Sequence, residues 1–224
     1  MTILAVRKEL LKVCSIAAFT AIAAGTLGTG QAQALVLTFD DLPAPKFDYG
    51  SAIPNGYGGL NWDNFNYKTA QTSNPSGYIY GTVSSPNVGY NVYGNPATVS
   101  TVNIGGGQFD FNSADLTAAW NNGLDILVEG FSGGITKYAT TVTVDTTSPT
   151  LFNFDFLDID SLKFTSFGGV NVGYGGSGTQ IVLDNFTYER VPEPTTILSL
   201  LTVASFGVAL SRKQKQQQKV TSKV

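Results

Sequence analysis

The chain has 224 residues, with 13 Lys and Arg against 16 Asp and Glu, no histidine, and a single cysteine at Cys14. Those absences exclude catalytic triads that use histidine as the base, imidazole-based zinc sites, and any thiolate or disulfide chemistry beyond position 14. Between Leu35 and Arg190 five bases stand against fourteen acids, a net charge of −9 that repels nucleic acid and favours cations.

The first segment carries Arg7, Lys8 and Lys12, then an apolar stretch from Val13 to Leu27, then small residues ending Ala32-Gln33-Ala34. This order is the composition of a secretory signal peptide over residues 1–34, with cleavage expected between Ala34 and Leu35. Signal peptidase and the secretion machinery are the partners implied. Cys14 lies inside the apolar stretch, so the mature domain faces an oxidising compartment without a disulfide.

Residues 35–190, roughly 155 in all, fit one ordinary domain. Leu35–Phe39 reads as a first strand, ended by Asp40, Asp41 and the prolines at 43 and 45. From Phe47 to Tyr93 the chain is crowded with aromatics and turn residues, including seven of its ten tyrosines. No helical period runs through it, and short strands are expected at Leu60–Phe65, Tyr78–Ser84 and Val88–Tyr93. Gly107–Asn112 alternates as a strand. Ala114–Trp120 has the composition of a short helix that Ser113 would cap. Five strands follow at Gly123–Phe131, Ile135–Asp145, Leu151–Phe156, Asp158–Thr165 and Thr179–Glu189.

About nine or ten strands, with turn signals every 8 to 12 residues or so and no helix able to act as a crossover, predict an all-β protein. The expected fold is an antiparallel two-sheet β-sandwich, jelly-roll-like, flanked by the signal peptide and a C-terminal single transmembrane helix. Phe39-Asp40-Asp41 in a first strand and Leu183-Asp184-Asn185-Phe186-Thr187-Tyr188 in a last one loosely resemble the carbohydrate-binding and galactose-binding-like jelly rolls. That resemblance implies that the first and last strands pair.

Residues 191–224 begin Val191-Pro192-Glu193-Pro194 and continue as an uncharged apolar run over 195–210, then a basic tail from Arg212. The run is somewhat shorter than the roughly 20 residues usual for a span, yet it is apolar on every side and followed at once by bases, as a stop-transfer segment is. Triplet, helix and tail in this order resemble the PEP-CTERM sorting signal of exported Gram-negative bacterial proteins. The motif residues are Pro192, Glu193 and Pro194, and the tail after Lys213 runs longer than in the family. The resemblance implies an exosortase as partner, a transient inner-membrane anchor, and delivery to the cell surface or extracellular matrix.

Four groups of residues carry candidate chemistry. Gly173-Tyr174-Gly175-Gly176-Ser177-Gly178 matches a dinucleotide fingerprint in letters, but a strand follows it where that motif needs a helix, so a hairpin loop is expected. Asp155, Asp158 and Asp160 are the densest carboxylates and read as solvated turn acids rather than a glycosidase pair. Asp40, Asp41 and Asp184 would meet if first and last strands paired, and could hold a structural calcium; no other cofactor is expected. Tyr57 and Trp62, the latter among Asn61, Asp63 and Asn64, are candidates for stacking on sugar rings. The function these patterns support is a non-enzymatic structural, adhesive or glycan-binding role in extracellular polysaccharide. The rival is a secreted glycan-active hydrolase or lyase.

Overall fold

The computed structural model describes residues 33–73, 75–101 and 107–191. The expected signal peptide up to residue 32, the sorting triplet and the apolar run at 195–210 lie outside the described residues. Among those described, no helix is long and apolar enough to cross a membrane.

Twelve strands are described: β1 (Leu35–Leu37), β2 (Ser51–Ala52), β3 (Asn61–Asp63), β4 (Phe65–Thr69), β5 (Asn87–Asn91), β6 (Ala97–Ser100), β7 (Gln108–Ala118), β8 (Asn121–Ser132), β9 (Ile135–Val144), β10 (Thr150–Ile159), β11 (Ser161–Asn171) and β12 (Ile181–Val191). They form two antiparallel sheets, β10-β7-β12-β5-β4-β2 with β1 added to β12, and β3-β6-β11-β8-β9. Apart from the β4–β5 and β8–β9 hairpins, the chain from β2 onward changes sheet at each step, so the core lies between the sheets. Phe109, Phe111, Leu116, Leu183 and Phe186 from the first sheet meet Trp62, Val99, Leu124, Ile126 and Phe164 from the second.

The first and last strands do pair, as expected, with Leu35 opposite Tyr188 and Leu37 opposite Phe186. β12 is bonded along one side by β7. Its other side is shared end to end by β5 at Val182–Leu183 and β1 at Phe186–Tyr188. The junction is closed by Asn87, whose N–H donates to Asp40 (2.8 Å) and whose Nδ2 donates to the Phe39 carbonyl (3.0 Å).

Three local expectations are corrected, the first two because alternation breaks inside a strand-forming stretch. Leu60–Phe65 is two strands in different sheets, turned at Asn64, which has φ 56° and whose Nδ2 donates to the Pro96 carbonyl (3.0 Å). Trp62 and Phe65 can then both face the core from opposite sheets. Ala114–Trp120 is not a helix. Residues up to Ala118 continue β7, and the inward set passes from Phe109 and Phe111 to Ala114, Leu116 and Ala118 across an irregularity at Asn112–Ser113. Such a bulge keeps both halves facing the core while erasing the period from the sequence. Tyr78–Ser84 is not a strand either; Gly77–Tyr80 forms one helical turn, α1. The expected boundary at Leu157 also moves, since β10 runs to Ile159.

β10 lies at the edge of its sheet and carries two register shifts, at Asp155 (φ 50°) and Asp158 (φ 52°). Charged bulges of this kind keep an exposed edge from templating aggregation.

Candidate functional site

The segment between β4 and β5 folds back over the outer face of the first sheet. Strand alternation makes this possible: Phe65 and Tyr67 of β4 point into the sandwich, so Asn66 and Lys68 point out, with Tyr90 of β5 and Val182 of β12 beside them. Tyr78, Ala70, Val88, Tyr90, Ala119 and Val182 form a second, smaller apolar cluster there, with Trp120 against it. Tyr78 meets Tyr90 and Trp120 edge to face, at 5.5 and 5.6 Å. Gly77 is required at this contact, because a Cβ would fall onto the Ala118 carbonyl oxygen, while its N–H donates to Ala119 (2.9 Å).

Beside this cluster a cleft of about 720 Å³ opens on the same face. Its walls are the Asp48–Tyr49 loop, Thr72 and Ser73, the Val92–Tyr93 turn, and the Gly176–Ser177 loop, and its floor includes Asn66, Lys68, Tyr90, Trp120 and Gln180. An adjoining cavity of about 510 Å³, lined by Lys46, Phe47 and Pro43 among others, shares Tyr49 and Asn66 with it. Tyr49 is 65% exposed and stacks on Phe47 at 4.8 Å, and its carbonyl accepts from the Tyr90 hydroxyl, to which Asn66 Nδ2 also donates (3.2 Å). Tyr93 is 83% exposed and sits at φ 57°. A bulky residue in the left-handed region costs of order 1 kcal/mol or more, and such residues cluster at binding sites.

The Gly173–Gly178 loop is not a hairpin: it carries the chain from β11 in one sheet to β12 in the other. Gly176 lies so close to the Trp120 ring that a Cβ there would overlap it, and Tyr174 meets Tyr80 at 5.9 Å. The glycines thus serve close packing over an indole.

The residues chosen from sequence occupy other places. Trp62 is a core residue: its Nε1 donates to the Tyr57 carbonyl (3.0 Å), and its ring packs on Phe39, Phe65 and Phe186. The Tyr57 hydroxyl donates to Asp41 (2.7 Å) and accepts from the Phe39 N–H (3.1 Å), and burial together with the Asp41 bond pushes its pKa up. The assignment of Trp62 to a sugar is therefore corrected, because its ring is buried in the core, while Tyr57 is half-buried against that core with its hydroxyl bonded to Asp41.

Asp40, Asp41 and Asp184 do not converge. Asp40 accepts from Asn87 and Asp41 from Tyr57, while Asp184 accepts from the N–H groups of Val83, Ser84 and Asn185 and the Ser84 hydroxyl. Among the described residues no three acidic, His or Cys side chains gather as a metal would need. Asp155 and Asp158 are the bulge residues of β10, and Asp160 accepts from the Gly133 N–H (2.6 Å). Asp48 is the one carboxylate lining the cleft among the described residues.

No family model matches this chain, and neither does any curated protein. Among solved structures, a DUF4465 family protein from Bacteroides ovatus matches at 10% identity over 71% of this chain and 99% of its own, with a TM-score of 0.45. TmCBM61, solved in complex with β-1,4-galactotriose, matches at 12% identity over 69% and 99% with a TM-score of 0.35. The K2 cleaved adhesin domain of Lys-gingipain matches at 9% identity over 71% and 98% with a TM-score of 0.38.

Proposed function

We propose that this chain is an exported, non-enzymatic glycan-binding module of the cell surface or extracellular matrix, and that the cleft beside Tyr93 is its binding site. The observation that carries the reading is the cleft itself. Pyranose rings have apolar C–H faces and polar rims, and they bind where aromatic rings alternate with amides and hydroxyls in an open depression. Tyr49 and Tyr93 supply exposed rings, and Asp48, Asn66, Ser177 and Gln180 supply hydroxyl partners. A cleft that opens along the surface suits an internal stretch of polymer. The rival reading, a hydrolase, would want two facing carboxylates, whereas Asp48 stands alone in this cleft among the described residues.

The ends of the domain support the delivery route. β1 starts at Leu35, so cleavage after Ala34 would leave that strand whole, and β12 ends at Val191, immediately before Pro192. Ser177 and Gln180 precede β12, so the cleft lies near its start, roughly 35 Å from its exit at about 3.3 Å per residue. A domain held by a C-terminal segment would present the cleft away from its attachment. On this reading signal peptidase removes residues 1–34, an exosortase reads Pro192-Glu193-Pro194, and the inner-membrane anchor is temporary.

Binding of purified protein to a glycan array, with Tyr93→Ala and Tyr49→Ala beside the native chain, tests the site. Loss of binding in the variants with unchanged thermal stability is expected, and retained binding in both removes the cleft. Mass spectrometry of the mature C-terminus with and without Glu193→Ala tests the route. An intact tail in the inner membrane in both cases defeats it.

A further inference from the structure

Lys68 is the one buried base among the described residues. It projects from the outer face of β4 into the floor of the cleft and is only 5% exposed. Its Nζ donates to Ser73 Oγ (2.5 Å) and lies over the Tyr78 ring at 4.7 Å from the centroid. The ion pairs among the described residues are Lys137–Asp158 and Lys163–Glu129, so no described carboxylate oxygen comes within the 4.0 Å of an ion pair with Lys68. Asp48, across the cleft, acts on it only from farther away. A buried ammonium without a counter-ion is costly, and burial holds the pKa of Lys68 below its ordinary value. An ammonium has three donors, and Ser73 takes one.

The charge around the cleft runs against that of the domain. The cleft and its adjoining cavity hold Lys46, Lys68 and Asp48, which are two of the domain's five bases and one of its fourteen acids. A domain of net −9 repels anions in general. Any anion it does bind must therefore be bound by a local arrangement.

We infer that the ligand of this cleft is an acidic glycan, whose carboxylate or sulfate ester pairs with Lys68 while a neighbouring ring stacks on the exposed tyrosines. This rests on the glycan-binding reading above and adds the charge of the polymer. Carboxylate and sulfate present the same chemistry to an ammonium, a compact set of anionic oxygens, and the bidentate geometry that would call for arginine is not required.

Isothermal titration calorimetry of the full-length protein with two matched pairs of polymers separates the possibilities: polygalacturonate against its carboxyl-reduced form, and dextran sulfate against dextran. At least one charged polymer is expected to bind about tenfold more tightly than its neutral partner, the size of one partly buried ion pair, and the preference should shrink in high salt. Which pair shows it distinguishes uronate from sulfate. Lys68→Met should remove the preference and keep the residual neutral binding. If that variant does not fold, the exposed position Lys46 decides, with Lys46→Gln expected to lower the preference about threefold, less than half the free energy of the Lys68 pair. Equal binding of charged and neutral members in both pairs overturns the acidic-glycan inference and leaves the glycan reading standing. No binding to any of the four overturns both. A preference undiminished in the variants overturns the assignment to this cleft.

Discussion

Asp184 holds Ser84 twice, accepting from its hydroxyl at 2.7 Å and from its N–H at 2.8 Å, from a position on β12 that is fully buried. With the Val83 N–H also on Asp184 (2.8 Å), this one carboxylate fastens the end of the segment that forms a wall of the cleft. The acid that looked from sequence like a cation ligand is instead the clasp of the segment between β4 and β5.

Asp184→Asn should therefore cost about 2 to 4 kcal/mol, because an amide offers one acceptor oxygen and its NH₂ faces donors, leaving buried N–H groups unpaired. The penalty should also depend on pH. Burial raises the carboxyl pKa above the usual 3.8, with the bonds from Ser84, Val83 and Asn185 opposing it. A group that holds its proton more tightly when folded stabilises most below its unfolded pKa, and loses that contribution as pH rises through the folded one. The difference between native protein and Asp184→Asn should thus be larger near pH 3 than near pH 7, about the reverse of a salt-bridged Asp. Urea denaturation of both proteins at the two values checks this. A difference that shrinks in acid refutes the stated direction.

Gly77→Ala tests the other fastening. The added Cβ would collide with the Ala118 carbonyl, which is backbone and cannot rotate away. We expect a loss of about 1 to 3 kcal/mol and faster proteolysis between β4 and β5, with the main core intact by near-UV circular dichroism. Proteolysis at the native rate would show that α1 is not held there.

Much of this architecture was legible from residues alone. The all-β class followed from missing helical periods and the strands β8 and β9 from strand-forming composition, while the β1–β12 pairing, implied by the jelly-roll resemblance, is present. Two of the misreadings share one cause. At Asn64 and at Asn112–Ser113 the inward set shifts phase, so a window of six residues across either place shows no period at all. The site was harder. The tyrosine-rich stretch holding Tyr49, Tyr78, Tyr90 and Tyr93 was visible, but which rings face water depends on which sheet each strand joins. Trp62 and Phe65, three residues apart, join different sheets. The alternation Phe65-Asn66-Tyr67-Lys68 was the available signal, since two inward aromatics put Lys68 on the outer face.

The two tryptophans separate structure from binding. Trp62→Phe keeps a ring in the core but gives up the Nε1 bond to Tyr57, and should cost about 1 to 3 kcal/mol without changing affinity. Its emission then reports Trp120 alone, on the floor of the cleft. Glycan titration should change that emission. A ligand that binds this variant and leaves its fluorescence untouched binds elsewhere.

Tyr93 offers the sharpest test, because stability and function should move in opposite directions there. Its backbone occupies φ 57° while its ring is almost entirely in water, so the fold gains little from the side chain. Glycine adopts that conformation without steric cost, so Tyr93→Gly should leave stability unchanged or raise it by up to about 1 kcal/mol. Binding, by contrast, should fall by about tenfold or more if the ring stacks on a sugar, a loss of roughly 1.4 kcal/mol. Tyr93→Phe separates ring from hydroxyl and should retain most affinity. Thermal denaturation alongside calorimetry gives both quantities on the same samples. If Tyr93→Gly binds as the native protein does, the left-handed tyrosine has no part in recognition. If it unfolds the domain, the ring is structural after all.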